Sequence, residues 1–542
     1  MEKQFFYVNK KQGGSSYQSI AVNSGNFESV AKGQHSPDNL WDKAHEIKKN
    51  NPDLGYVEPD LEKQNPQAES VKNISRPETT FESKIAIAED EYDPNWPFPE
   101  KEGKPDKMIW HVNDDHAGLR SAWLSLDKSS NTVRIAHFDT GYDPEHSTFP
   151  KANIEFGLQK NFVEDNGSAE DIGSEGWLNQ PGHGVGTLSI LAGALVDLPE
   201  YHYHDFLGIH HQIKILPVRM SRSVILWKNK AFVEALEYVI SLYDNPETRC
   251  HVVTMSMGGM PSKAWADVIN RAYDKGIFIV AASGDNFGRL TPSTLVYPAR
   301  FNRVVAACGV CYDFSPYVKN VTLGNVKIME GNFGPGKAMD FSIAAFTPNV
   351  SWAVINTGNI VSINGAGTSS ATPQIAAAAA LYYQKYFDEL EKMEGWQKIE
   401  TIRAAMFTSA SKTIKKGYSD KDRELYFGNG ILQARKMLDV RPNSVTIKKQ
   451  DISVLRWPFL KLITGTAVFE AVQDNEDEMA MFEMEILQLI AKSAALQKLL
   501  DHEETPFNEL TDKDQKQFYG ILLEMPDASN SLKKLIMDNH LF

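Results

Sequence analysis

A run of small residues, Gly-Ala-Gly-Thr-Ser-Ser-Ala-Thr-Pro over 365–373, passes directly into an alanine-rich stretch over 375–383. The pattern predicts a tight approach followed by a helix, with Ser369 in its first turn. Free backbone N–H groups and the helix dipole favour a developing negative charge there, so the position suits an acyl-transfer nucleophile. A serine hydroxyl is a weak nucleophile until a base takes its proton, so this reading requires a histidine and a carboxylate elsewhere in the chain.

Both occur upstream. Residues 133–141, Val-Arg-Ile-Ala-His-Phe-Asp-Thr-Gly, read as a buried strand with Asp139 at its C-terminal tip. Residues 181–187, Pro-Gly-His-Gly-Val-Gly-Thr, place His183 at the start of a short apolar helix, beside glycines that permit close backbone approach. Taken singly, Asp139 reads as a turn former, His183 as a helix-start histidine and Ser369 as an N-cap. Their conjunction in the order Asp, His, Ser is far more specific, because that order is one of three in which this triad occurs.

These segments resemble the subtilisin-like serine proteases, over roughly residues 95–440. The resemblance implies that Asp139 orients the histidine, His183 acts as general base and then acid, and Ser369 is acylated. It implies further that Ser256, Met257 and Gly258, in Ser-Met-Gly-Gly over 256–259, pair with an extended peptide substrate. Val296 stands where many relatives have a glycine before Tyr-Pro, which implies a shallower pocket for the residue preceding the cut. The backbone N–H of Ser369 contributes to the oxyanion hole. The side-chain donor of that hole, asparagine in many relatives, is here Asp285, with Asn286 next to it. Two readings stand: a protonated Asp285 at the hole, or a one-residue shift that brings in Asn286.

Between residues 133 and 310, apolar strand-like runs alternate with helical spacings such as Phe232, Ala235, Leu236, Val239 and Ile240. This predicts an α/β fold with a doubly wound, mainly parallel sheet and helices on both faces, and an active site beyond the strands' C-terminal ends. Residues 1–65 form a small α+β unit. Their last stretch, Tyr-Val-Glu-Pro-Asp-Leu over 56–61, resembles the end of the inhibitory prodomain in this family. Such a tail is expected to lie as an extended strand along the substrate groove, making the N-terminal region an intramolecular inhibitor that cleavage between 62 and 106 releases. Residues 66–106 read as a polar linker, 107–440 as the catalytic domain and 441–542 as a mainly helical region whose partner, if it has one, the sequence does not name.

The length of 542 residues suits about three such units. A net charge of −14, from 56 basic and 70 acidic residues, argues against a nucleic-acid surface. No run is apolar enough for a signal peptide or a membrane span, which points to the cytoplasm. Three cysteines, Cys250, Cys308 and Cys311, read as buried thiols rather than a disulfide framework or a metal site. No cofactor is expected. Thr148, standing where many relatives place an acidic calcium ligand, predicts no metal there, and the acidic stretch 164–175 reads as a solvated loop. The expected activity is that of a serine endopeptidase acting on extended protein segments. The alternative is a catalytically weakened protease fold used for binding or as a scaffold.

Overall fold

A computed structural model describes residues 2–10, 15–22, 39–60, 92–98 and 107–126, then 131–453 and 476–538 apart from 165–166, 174–178, 200–201, 210–212, 227, 287–292, 320–321, 324–325, 328, 454–475, 502–504 and 506. The N-terminal unit is an antiparallel sheet of β1 (Glu2–Lys10), β2 (Ser15–Val22) and β3 (Leu54–Pro59) in the order β2-β1-β3, with α1 (Leu40–Asn50) packed on it. Asn39 starts α1 by accepting from the backbone N–H groups of Trp41 and Asp42. Leu40, Trp41, Ala44 and Ile47 then form its buried stripe.

The central body is a parallel seven-stranded sheet. Its strands are β4 (Val133–Asp139), β5 (Lys160–Asn161), β6 (Ile213–Arg219), β7 (Val252–Met255), β8 (Phe278–Ala282), β9 (Val305–Val310) and β10 (Ser342–Phe346), in the spatial order β10-β9-β8-β7-β4-β6-β5. The chain leaves β4 for β5 and β6 on one side and then crosses to β7 on the other, so the strand order reverses at β4. In open sheets of this kind ligands bind beyond the strand ends at that reversal, and Asp139 ends β4 there.

Every residue of β4 is buried, as a strand covered on both faces requires. Its alternation sends His137 and Asp139 toward α2 (His183–Ala192) and Phe138 toward Phe232 of α3 (Lys230–Ser241). The helices therefore lie on both faces, with α3 packed against α4 (Lys263–Lys275). The alanines at 376–380 of α5 (Gly367–Lys385) are all buried, and their small side chains let this helix run close beneath the middle of the sheet. Cys250, Cys308 and Cys311 are buried and unpaired, and burial pushes the thiols of Cys250 and Cys308 up to about 12. Among the described residues no helix is long and apolar enough to cross a membrane.

The helical C-terminal region contains α6 (Glu476–Lys492) and ends in α7 (Asn530–Asp538), with helices Ala494–Leu499 and Asp512–Glu524 between them. It has its own apolar core of Phe482, Ile486, Leu489, Ile490, Phe518, Leu522 and Leu532, among others.

The expectation that residues 56–61 lie along the substrate groove differs from the structure over 56–60. Residues Leu54–Pro59 pair with β1 inside their own sheet, and residue 61 lies outside the described residues. The register explains where β3 points its acids. Tyr17, Tyr7 and Glu58 are direct cross-strand partners, so they share one face, and that face meets α3 and α4. Tyr17 donates to Asn229 Oδ1 at 2.6 Å and Tyr7 to Asp267 Oδ2 at 2.7 Å. Glu58 accepts from the Lys263 backbone N–H at 2.9 Å and from the Asn229 amide at 3.1 Å, while Asp60 accepts from the Asn229 backbone N–H at 2.8 Å. Two carboxyl groups of the N-terminal unit thus accept from donors at the starts of α4 and α3, and burial pushes Glu58 up to about 7 against these hydrogen bonds.

Candidate active site

Asp139, at the tip of β4, is 1% exposed, and its carboxylate is surrounded by donors. Oδ1 accepts from His183 Nδ1–H at 2.7 Å and from the Thr140 backbone N–H at 2.8 Å. Oδ2 accepts from the Thr187 hydroxyl at 2.9 Å. Burial opposes its charge, but His183 and these hydrogen bonds outweigh burial and hold the carboxyl below its ordinary range. The bond from Nδ1 to Asp139 sets the tautomer of His183, so that Nε2 is the ring nitrogen without the proton. The Thr187 hydroxyl gives its proton to Asp139, so His137, whose Nε2 lies 2.8 Å from that hydroxyl, is the donor to it. Burial lowers the pKa of His137, against the opposing pull of Asp139.

Close packing fixes His183. Gly184 lets α2 start against the 139–141 turn: a Cβ there would stand 2.2 Å from the Gly141 carbonyl oxygen. Gly186 makes room for Trp352, because a Cβ there would stand 1.8 Å from the indole. That indole in turn meets the His183 ring edge-on, with centroids 5.5 Å apart. Ser369 lies in the first turn of α5, which packs against α2. Its hydroxyl donates to the Ser256 carbonyl oxygen at 3.3 Å, and the Ser256 hydroxyl donates to the Ser369 carbonyl oxygen at 2.9 Å.

Asp285 sits at the start of the same helix as an acceptor. Its Oδ1 and Oδ2 lie 2.9 and 3.2 Å from the Thr368 backbone nitrogen, and Oδ2 also accepts from the Thr368 hydroxyl at 3.2 Å. Asn286 follows in a short extended segment paired with Glu330–Gly331, so its side chain points to the side opposite Asp285. Asp285 thus lies beside the start of the helix that carries Ser369. Its contacts to Thr368, however, are those of a hydrogen-bond acceptor, not a donor.

Ser256 and Met257 follow β7, the strand next to β4. Gly258–Gly259 pairs in parallel with Ile225–Leu226, and the Gly258 N–H donates to the Val224 carbonyl at 3.0 Å. Of the segment expected to pair with substrate, Gly258 is itself paired. Val296 fills the space between two loops: a Cβ at Gly258 would stand 2.2 Å from Val296 Cγ2, and one at Gly284 2.9 Å from Cγ1.

The acidic stretch after residue 164 is not simply solvated. Glu164 accepts from Arg219 Nε at 2.7 Å and Nη2 at 2.9 Å, and Asp171 from Arg219 Nη1 at 3.2 Å. Arg219 is 0% exposed at the end of β6 and also donates to the Thr140 carbonyl. Asp171 Oδ2 accepts from the Thr140 hydroxyl at 2.9 Å and the Gly182 N–H at 2.7 Å. One buried cation therefore ties the loop after Asp139 to the residue before His183. The sequence signal for it is a charged residue directly after the apolar run at 215–218. Thr148, at the position read for calcium, is buried and bonded to His146 at 2.9 Å. Among the described residues no group of three or more His, Cys, Asp or Glu side chains is placed to hold a metal.

Arg219→Met is expected to lower stability by about 3–5 kcal/mol, because it strands buried carboxylates. Arg219 foremost holds Glu164 down to about 2, from an ordinary 4.5. A depressed carboxylate contributes stability that is present above the ordinary pKa and lost as pH falls through the folded one. Urea unfolding of the parent should therefore weaken between pH 4.5 and about 2, and Arg219→Met should flatten that stretch of the profile. Equal slopes in the two proteins would refute the network.

Residues 130–430, more than half of the chain, match the model of the subtilase family. Subtilisin NAT of Bacillus subtilis subsp. natto is 24% identical over 301 residues, covering 53% of this chain and 68% of its own. Subtilisin DY of Bacillus licheniformis is 26% identical over 255 residues, covering 47% and 77%. A subtilisin-like protease of Coccidioides posadasii is 24% identical over 360 residues, covering 66% and 73%. With a parallel sheet whose strand order reverses at Asp139 and a family match across that whole sheet, the chain belongs to the subtilase family.

Proposed function

We propose that the protein is a serine endopeptidase in which Ser369 attacks a peptide carbonyl, His183 takes the proton and returns it to the leaving amine, and water resolves the acyl-enzyme. The observation that carries this reading is the 2.7 Å bond from His183 Nδ1 to a buried Asp139. It fixes the imidazole tautomer a general base needs. The Ser369 N–H, at the start of α5, supplies one donor to the oxyanion. Incubation with a reduced, unfolded protein should give peptides from the parent and none from Ser369→Ala; equal fragmentation by the two would sink the assignment.

The filled space at Val296 supports a preference for a small residue before the cut. Val296→Gly should raise kcat/KM for large apolar residues there relative to alanine by at least about tenfold, since one methylene of substrate gained in an apolar pocket is worth about 10–200-fold. Unchanged selectivity across a peptide library would show that Val296 does not line the pocket.

The N-terminal unit is read as an intramolecular inhibitor, a role supported by the way Glu58 and Asp60 satisfy the starts of two helices of the catalytic domain. A second reading, a weakened protease fold that binds without cutting, is favoured by the acceptor role of Asp285 and the self-paired edge at Gly258.

A further inference from the structure

The N-terminal unit is gripped on a second side. Trp41 of α1 donates its indole N–H to Gln488 Oε1 of α6 at 2.9 Å, and the Gln488 amide donates to the Pro261 carbonyl of the catalytic domain at 3.0 Å. One C-terminal side chain therefore bonds to both other parts of the molecule, and it is buried. Asp42 of α1 accepts at 2.8 Å from the backbone N–H groups of Asn530 and Ser531 and from the Ser531 hydroxyl, so it caps α7 across the interface. Asn39 donates to the Asp527 carbonyl at 2.8 Å, and the buried His45 ring stacks on Phe482 with centroids 4.3 Å apart.

The first turn of α6 comes close to β3, because Gly55 has no side chain: a Cβ there would stand 2.8 Å from Asp477 Oδ2. Helix α6 accordingly has two apolar faces. Phe482, Ile486, Leu489 and Ile490 belong to the C-terminal core, whereas Met481 and Met484 join the large apolar cluster that contains Trp41, Tyr56 and Val57. Upstream of α6, the chain is stitched to the catalytic domain as far as Ser453. The Asp451 carbonyl accepts from Arg303 Nε at 3.0 Å, and the Ser453 N–H donates to Asn270 at 2.9 Å.

We propose that the C-terminal helices are a retention surface for the N-terminal unit, so that cutting the chain between 61 and 106 does not release it. This rests on reading that unit as the inhibitor. A fragment held only against α3 and α4 would leave by breaking one set of contacts once cut. A fragment also held by helices covalently joined to the same catalytic domain must break both sets at once, since either contact keeps the other at high effective concentration. Activation then takes two events: cleavage of the segment after residue 61, and displacement or removal of the C-terminal helices.

The test uses the full chain carrying Ser369→Ala and a recognition site for a sequence-specific endoprotease placed between 66 and 91. After cutting, the N-terminal fragment should co-elute with the remainder on size exclusion at low micromolar concentration. Asp42→Ala and Gln488→Leu, which act from opposite sides of the interface, should each speed fragment dissociation by at least about tenfold, and the double variant further. The two sides guard against one variant acting through misfolding of its own unit. Loss of the fragment from the parent at the rates seen in the variants would overturn the proposal. Retention is read by mass, so it stands or falls apart from inhibition. Inhibition is judged in the Ser369 chain: it fails if the intact protein cuts as fast as protein freed of the fragment.

Discussion

Ser369→Ala and His183→Ala should each lower kcat for a peptide substrate by a factor on the order of 10⁶, the magnitude established for a bacterial subtilisin, and the double variant should be little worse than either. The reason lies in the geometry around His183. Its Nδ1 is committed to Asp139 at 2.7 Å, and in the proposed mechanism the ring takes and returns one proton at Nε2. Without the serine there is no nucleophile to activate, and without the ring the hydroxyl keeps its proton. Once one is lost, the other has nothing left to contribute. Ser369→Ala should leave the melting temperature close to that of the parent, because the three hydrogen bonds that hold Asp139 come from His183, Thr140 and Thr187. Additive losses in the double variant would mean that the two residues do not act on one step.

Asp285→Asn should raise kcat at neutral pH. In the parent the carboxylate faces Thr368 as an acceptor, with its oxygens 2.9 and 3.2 Å from the backbone nitrogen. A carboxylate near the nucleophile's helix is an acceptor only and opposes a developing oxyanion. An asparagine can keep the bond to Thr368 through its carbonyl oxygen and turn its NH₂ group toward the reacting centre. One oxyanion-hole donor contributes about 10²–10³ in kcat, or ~2.7–4 kcal/mol. The gain should approach the lower end of that range, since the side chain remains tied to Thr368. Asn286→Ala should change kcat little, because its side chain points away. A collapse in Asn286→Ala with no gain in Asp285→Asn would transfer the role to Asn286.

Asp139, His183 and Ser369 each sit at a local signal in the sequence, and the contact between the first two is present in the structure. Asp139 ends an apolar β-branched run, His183 opens a helix between glycines, and Ser369 follows a small-residue turn into alanines. Their supports were not legible, since each is a contact between distant segments. Nothing in Gly186 announces an indole from residue 352, and nothing in Thr187 announces His137 on its far side. The acidic loop was read as solvated because its counter-charge, Arg219, lies on a strand well downstream.

The N-terminal unit shows the same limit. Its strand at 54–59 was readable, but the face it presents depends on the register that sets Glu58 beside Tyr7. In the C-terminal region the helical spacing of Ile486, Leu487, Leu489 and Ile490 could be seen. The second face of α6, with Met481, Met484 and Gln488, acquires meaning only when Trp41 is found against it.

Whether Ser369 is a nucleophile activated by His183 is decided by covalent labelling with a fluorophosphonate, a small electrophile that phosphonylates a serine only when a neighbouring base activates it. The label should be located by peptide mass mapping in the parent, His183→Ala and Ser369→Ala chains, both intact and after cutting between 66 and 91. One adduct is expected, on the peptide containing Ser369, and it should be lost in both variants. Labelling that persists in His183→Ala, or an adduct on another serine, would contradict the assignment.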